Sequence, residues 1–206
     1  MSHNDLAEDV SYLRTLAEQG QRAPLVGGGF LVLFGALLCV TYALHWALLT
    51  GAIGSGPGWQ LGLLWASFGV AAGLGGVLVS SRLRRKPGAA SMLNRIDRAV
   101  WRAAALAIMA TVLGNIFAMA INGDTHAPNA IMAAGFGSYA IAMLTTAAIA
   151  EKPWLGAFGA LALLVSTMLW IVRDAPWAYL AAAAASAIVL LAPGIVLVRN
   201  EPSSVS

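Results

Sequence analysis

The side chains of this protein best suited to hold a metal or a heme are His45, Asp124 and His126. Imidazole is the commonest metal ligand. The run Asn122-Gly123-Asp124-Thr125-His126 offers a carboxylate and an imidazole close together, with His45 as a third donor. A bis-histidine heme needs both rings aimed at one iron, and a zinc site needs three or four convergent ligands. Asp and His in a short Asn-Gly loop are more often solvated turn residues, so this reading ranks third of three. A second set, Asn115, Ser138 and Tyr139, puts an amide, a hydroxyl and a phenol inside apolar runs. There each needs a partner. For Asn115 and Tyr139, the most demanding of these, bonding across to a neighbouring helix is the first expectation. A pocket for a lipid, quinone or small neutral solute is the alternative. No His-Glu-x-x-His, P-loop or Ser/His/Asp spacing occurs, so the sequence favours a non-enzymatic protein and implies no cofactor.

The elements that must position these residues are six apolar stretches, residues 26–48, 59–80, 103–121, 128–149, 154–172 and 177–198. None contains Asp, Glu, Lys or Arg. At about 1.5 Å per residue each forms a helix of roughly 29–35 Å, enough to cross a hydrocarbon core of about 30 Å. Of 206 residues, 59% are hydrophobic and 10% charged, against roughly 25% charged in a soluble domain. The expected fold is an all-α integral membrane protein: a six-transmembrane-helix bundle over 25–199, preceded by a cytoplasmic segment 1–24 and followed by a tail 200–206. Ion-coupled transport usually leaves a charged residue in mid-membrane, and none is present. A single cysteine, Cys39, excludes a disulfide within the chain.

Charge sets the orientation. Of twelve Lys and Arg, only Arg173 falls in the 49–58, 122–127 or 173–176 loops; the rest lie on the side of both termini. By the positive-inside rule the termini are cytoplasmic. The Ala/Gly-rich spans and small hairpins point to a bacterial inner membrane. The net charge of +3 is explained by orientation and anionic lipid, so nucleic acid is not an expected partner. The first apolar run follows an acidic segment and is too long for a signal h-region, so the N-terminus is expected to remain on the mature protein. The third helix is expected to begin near Ser91, after Lys86-Pro87-Gly88, and Pro193 to kink the sixth. Six of seven tryptophans sit at span ends as an aromatic belt, leaving Trp65 deeper.

Gly62, Ala66, Gly69, Gly73 and Gly76 recur on one face of the second span. Small residues let helices approach closely. Packing inside the bundle is the first reading, and joining a second copy or another subunit the alternative. Either makes Gly73→Leu disruptive. On the cytoplasmic side, residues 4–19 read as an amphipathic helix with Leu6, Val10, Leu13 and Ala17 on one face and Asp5, Glu8 and Asp9 in its opening turns. Arg95, Arg98 and Arg102 share a face near the third span, with Met92, Ile96 and Ala99 on another. The plain reading is an interfacial helix beside a lipid-facing basic stripe. The functional reading docks the acidic segment on these arginines or on a cytoplasmic partner protein, and a segment that acidic suits protein better than an anionic leaflet. Three readings follow, in order: a non-enzymatic accessory, regulatory or sensory subunit; a small channel or permease using Asn115, Ser138 and Tyr139; and a heme or metal protein using His45, Asp124 and His126. The bilayer is a partner in all three.

Overall fold

The computed structural model describes residues 25–54, 58–86 and 88–201; Asp5, Glu8, Asp9 and the helix expected over 4–19 lie outside them. The described residues are helical, without strands: α1 (Gly28–Leu49), α2 (Trp59–Leu83), α3 (Met92–Asn122), a 3₁₀ turn (Ala127–Asn129), α4 (Ala130–Ile149), α5 (Pro153–Val172), α6 (Trp177–Ser186), a π turn (Ala187–Leu191) and α7 (Ala192–Arg199). The last three run on as one long helix, Trp177–Arg199, making six helices long and apolar enough to cross a membrane.

Local chemistry sets several boundaries. Ser91 caps α3, its hydroxyl accepting the Asn94 N–H at 3.3 Å, so the helix begins well before its apolar stretch, as the sequence suggests. It ends at Gly123, whose φ of 70° suits a residue without Cβ and whose N–H bonds the Met119 carbonyl. The expected disturbance at Pro193 is a π turn. Proline has no N–H and its ring crowds the carbonyl four residues back, at Val189; the wide turn over Ala187–Leu191 relieves that clash inside an otherwise continuous helix.

The centre of the bundle is the crossing of α1 with this sixth helix. A Cβ built on Gly35 would lie 2.5 Å from the Leu191 nitrogen, and one on Gly28 would lie 2.7 Å from both Leu197 Cβ and the Val198 nitrogen. From the other side, a Cβ on Gly194 would meet the Val32 nitrogen at 2.7 Å. Backbone touches backbone here, which only glycine permits. The second tight unit is the α4–α5 hairpin. Leu144 fills the space left by Gly159, and the Ser166 hydroxyl donates to the Ala133 carbonyl at 2.7 Å. Met132, Phe136, Met143, Leu155 and Leu169 are fully buried around it.

α2 and α3 flank this core. α2 packs on α1, α3 on α4, and neither has a buried stretch of its own. The expectation that the small-residue face of α2 packs inside the bundle is not met: Gly62, Gly69 and Gly73 have nothing within 4 Å of where a Cβ would be, and Ala66 is exposed. α2 turns its bulky side inward instead, with Trp65 and Phe68 against Tyr42 and the core, and Gly75 receiving Leu33. Indole and phenyl rings make many more dispersion contacts than glycine, so the large face wins the interior.

These two kinds of glycine predict opposite outcomes. Gly35→Leu should destabilise the fold by about 1–3 kcal/mol or abolish it, whereas Gly69→Leu should stay within about 0.5 kcal/mol. Thermal unfolding of both variants in one detergent decides it; equal losses would mean that the α1–α6/α7 crossing is not the constraint described here.

Candidate functional site

At its first turns α3 is polar inside and apolar outside. Asn94 and Asp97 are 1% and 4% exposed, while Met92 and Ile96 are 73% and 39% exposed. Positions 94, 97, 101 and 104 form the inner face; 92, 95, 96 and 99 form the outer one.

The inner face is explained by the start of α1. Its N-cap position is Gly27, which has no side chain to satisfy the orphan N–H groups of a first helical turn. Other elements supply the acceptors. Glu201 Oε1, just beyond α7, takes the Gly28 N–H of the first turn at 3.0 Å, and Asn94 Oδ1 takes the N–H of Val26, the residue ahead of the N-cap, at 3.0 Å. The Glu201 side chain is buried and also pairs with Lys86. Asn94 is held from behind, its Nδ2 donating to the Gly88 carbonyl and to Ser91 Oγ. Asp97 lies against Gly27, its Oδ2 3.3 Å from where a Cβ would be, and its Oδ1 accepts the Thr146 hydroxyl at 2.6 Å. Two carboxyl groups thus face the positive end of the α1 dipole, the arrangement such a terminus favours. The beginnings of α1 and α3 and the ends of α2, α4 and α7 are joined at this basic end of the bundle.

The outer face is correspondingly exposed. Met92, Arg95, Ile96 and Ala99 line a shallow depression of about 380 Å³, and Arg95 has no ion pair among the described residues. The expected arginine face divides. Arg95 and Arg102 are exposed, whereas Arg98 donates to the Ala89 carbonyl at 2.7 Å and braces the loop before α3.

The opposite end carries a second polar network. Trp65 Nε1–H donates to His45 Nδ1 at 3.0 Å. An indole nitrogen only donates, so His45 Nδ1 holds a lone pair and the ring proton sits on Nε2. The imidazole stacks on Tyr179 at 3.7 Å. Tyr179 donates to Asn129 Oδ1, Asn129 Nδ2 donates to Asp174 Oδ1 at 3.2 Å, and Asp174 pairs with His126 at 3.5 Å and Arg173 at 3.6 Å. Three side chains therefore separate His45 from His126. Asp124 is a turn residue, accepting the His126 and Ala127 N–H groups at 3.0 and 3.1 Å. The structure does not bring His45, Asp124 and His126 to one point, and among the described residues no group of three His, Cys, Asp or Glu can hold a metal.

Nor does it gather the second expected set. Asn115 and Ser138 bond within their own helices, to the Thr111 and Ala134 carbonyls at 2.8 and 3.0 Å, rather than across to a neighbour. Tyr139 packs edge-on to Phe136 at 5.9 Å and near Trp101 at 6.5 Å. The inward Asn94, Thr146 and Glu201 were missed by sequence reasoning. For Asn94 and Glu201 the signal was the Gly27-Gly28-Gly29 start of α1, an entry without a capping side chain whose N–H groups need acceptors from elsewhere. Thr146, which donates to Asp97, left none.

No family model, curated protein or solved structure matches this chain. The class is given by the fold: an all-helical bundle whose six long apolar helices have the dimensions of membrane spans.

Asn94→Leu should cost about 1–3 kcal/mol by leaving the Val26 N–H buried and unpaired, read as lowered thermal stability; an unchanged midpoint would dismiss the clamp. In ¹⁵N-histidine NMR, His45 should show Nε2 as the protonated nitrogen, and Trp65→Phe should shift its Nδ1 resonance. A His45 protonated at Nδ1 would refute the Trp65 bond.

Proposed function

We propose that this is a polytopic protein of a bacterial inner membrane, with both termini cytoplasmic, acting as a non-enzymatic accessory or regulatory subunit. It engages a partner protein through the basic end of the bundle. The observation that carries the reading is the inverted face of α3, with Met92, Ile96 and Ala99 turned outward around an Arg95 that has no ion pair among the described residues.

Length supports it. α3 has 31 residues, about 46 Å at 1.5 Å per residue, against a hydrocarbon core of about 30 Å. Its first three turns therefore stand clear of the bilayer on the cytoplasmic side. Exposed methionine and isoleucine around a cation suit an acidic amphipathic helix, which lays its apolar stripe in the depression and offers a carboxylate to Arg95. The clamp on the inner face holds this surface rigid, so little ordering cost falls on binding. The acidic residues Asp5, Glu8 and Asp9 of the same chain have the matching charge, and a partner's helix of that kind is the expected occupant.

A photo-crosslinker at position 96, activated in intact membranes, should give one discrete higher-mass adduct. Arg95→Glu should weaken that adduct about tenfold or more, since like charges meet across the interface. An adduct insensitive to Arg95→Glu counts against the reading. A crosslink without mass gain that vanishes on deleting residues 1–20 assigns the surface to the chain's own N-terminus instead.

A further inference from the structure

A groove of about 610 Å³ runs along the outer side of α2 at the basic end. Gly73, Gly76 and Val77 form its floor, Phe30 of α1 its wall, and Ser80 and Arg84 its end. Phe30 makes it a groove: its ring edge lies 4.0 Å from where a Gly76 Cβ would be, whereas Gly62 and Gly69 further along α2 are open on all sides. From Gly73 to Arg84 the helix rises about 16 Å, half of a hydrocarbon core of about 30 Å. The groove is one leaflet deep. Its deep half is apolar, and its shallow end presents a guanidinium without a carboxylate partner and a Ser80 hydroxyl without a hydrogen-bond partner among the described residues.

We infer that this groove binds one glycerophospholipid with an anionic headgroup, an acyl chain lying over Gly73 and Gly76 and the phosphate meeting Arg84 and Ser80. The inference rests on the membrane orientation proposed above, which puts this end in the cytoplasmic leaflet. Charge and size both select this occupant. Arg82, Arg84 and Arg85 crowd the end of α2, and basic pockets between helices at that level attract anionic headgroups. A second copy of the chain fits poorly. A two-fold axis along the membrane normal would set these three arginines against their own copies, like charges that repel. Glycines on the floor let a flexible chain lie close to the helix backbone, and Phe30 covers one side of it.

The test uses the full chain in detergent, incubated with vesicles of phosphatidylcholine or phosphatidylglycerol and examined by native mass spectrometry. Phosphatidylglycerol adducts should be retained about fivefold over phosphatidylcholine, the scale of one arginine near a charged headgroup. Arg84→Gln should remove that preference, Gly73→Leu with Gly76→Leu should lower retention of both lipids, and Arg95→Gln should change neither. The leucines enter open space or displace only the Phe30 edge, and Arg84→Gln tests the headgroup contact without touching the floor. Equal retention of the two lipids, or an Arg84→Gln variant with unchanged preference, overturns the inference. So does a dimer that Gly76→Leu converts to monomer, which would make a second copy the occupant. Failure of the protein to float with vesicles would instead reject the membrane reading on which the inference rests.

Discussion

The start of α1 governs this structure. A helix opening on Gly27-Gly28-Gly29 presents unsatisfied N–H groups and the positive end of its dipole without a capping side chain of its own. In an apolar bundle those groups cannot be left bare, because an unpaired buried donor costs about 1–3 kcal/mol. Acceptors come from parts of the chain remote in sequence: Asn94 on α3 and Glu201 beyond α7. Capturing one helix end therefore also fixes where α3 begins and where the chain leaves α7. The same glycines serve a second purpose, since Gly28 lies against the backbone of α7. The N-cap glycine and the packing glycine are thus neighbours: Gly27 leaves capping to other elements, and Gly28 lets the backbones meet.

That clamp explains why α3 is inverted at its first turns. With Asn94 and Asp97 required inside, helical geometry sends positions 92, 95, 96 and 99 outward. The outward face becomes a rigid surface held by polar bonds on its reverse. The form of this surface thus depends on packing on the opposite face of the same turns. The opposite end is organised differently, by a stacked imidazole and phenol joined through amide and carboxyl groups to loop residues. Its histidine is committed as an acceptor to Trp65, which places it in the structural frame of the bundle.

The two outer helices divide the protein's contacts. α2 offers its bulky face to α1 and Gly62, Gly69 and Gly73 to the surroundings, while the first turns of α3 offer polar groups to the entry of α1 and to Thr146 and apolar groups outward. Both leave specific surfaces on the perimeter of a core formed by α1, α4, α5 and the sixth helix. In a bilayer no hydrophobic drive pulls such helices together, so shape and polar groups decide what covers them.

The six long helices, the start of α3 at its serine cap and a disturbance at Pro193 were legible in the sequence, because apolar length, capping chemistry and the missing proline N–H are local properties. Which glycines pack was not. Gly69-x-x-x-Gly73 has the recognised spacing yet faces outward, and Gly28 and Gly35, without that spacing, carry the tightest crossing. A small residue permits close approach without naming the partner, and Trp65 and Phe68 on the other side of α2 competed for the same interior and won. The candidate site divides in the same way. Arg95 is readable as a cation near a span end, but on a face apart from Met92, Ile96 and Ala99, whereas the folded helix turns all four outward together. That Asp97 and Asn94 between them turn inward depended on where the uncapped start of α1 comes to rest. Only the folded chain decides that, because the donors and acceptors involved are 68 to 173 residues apart.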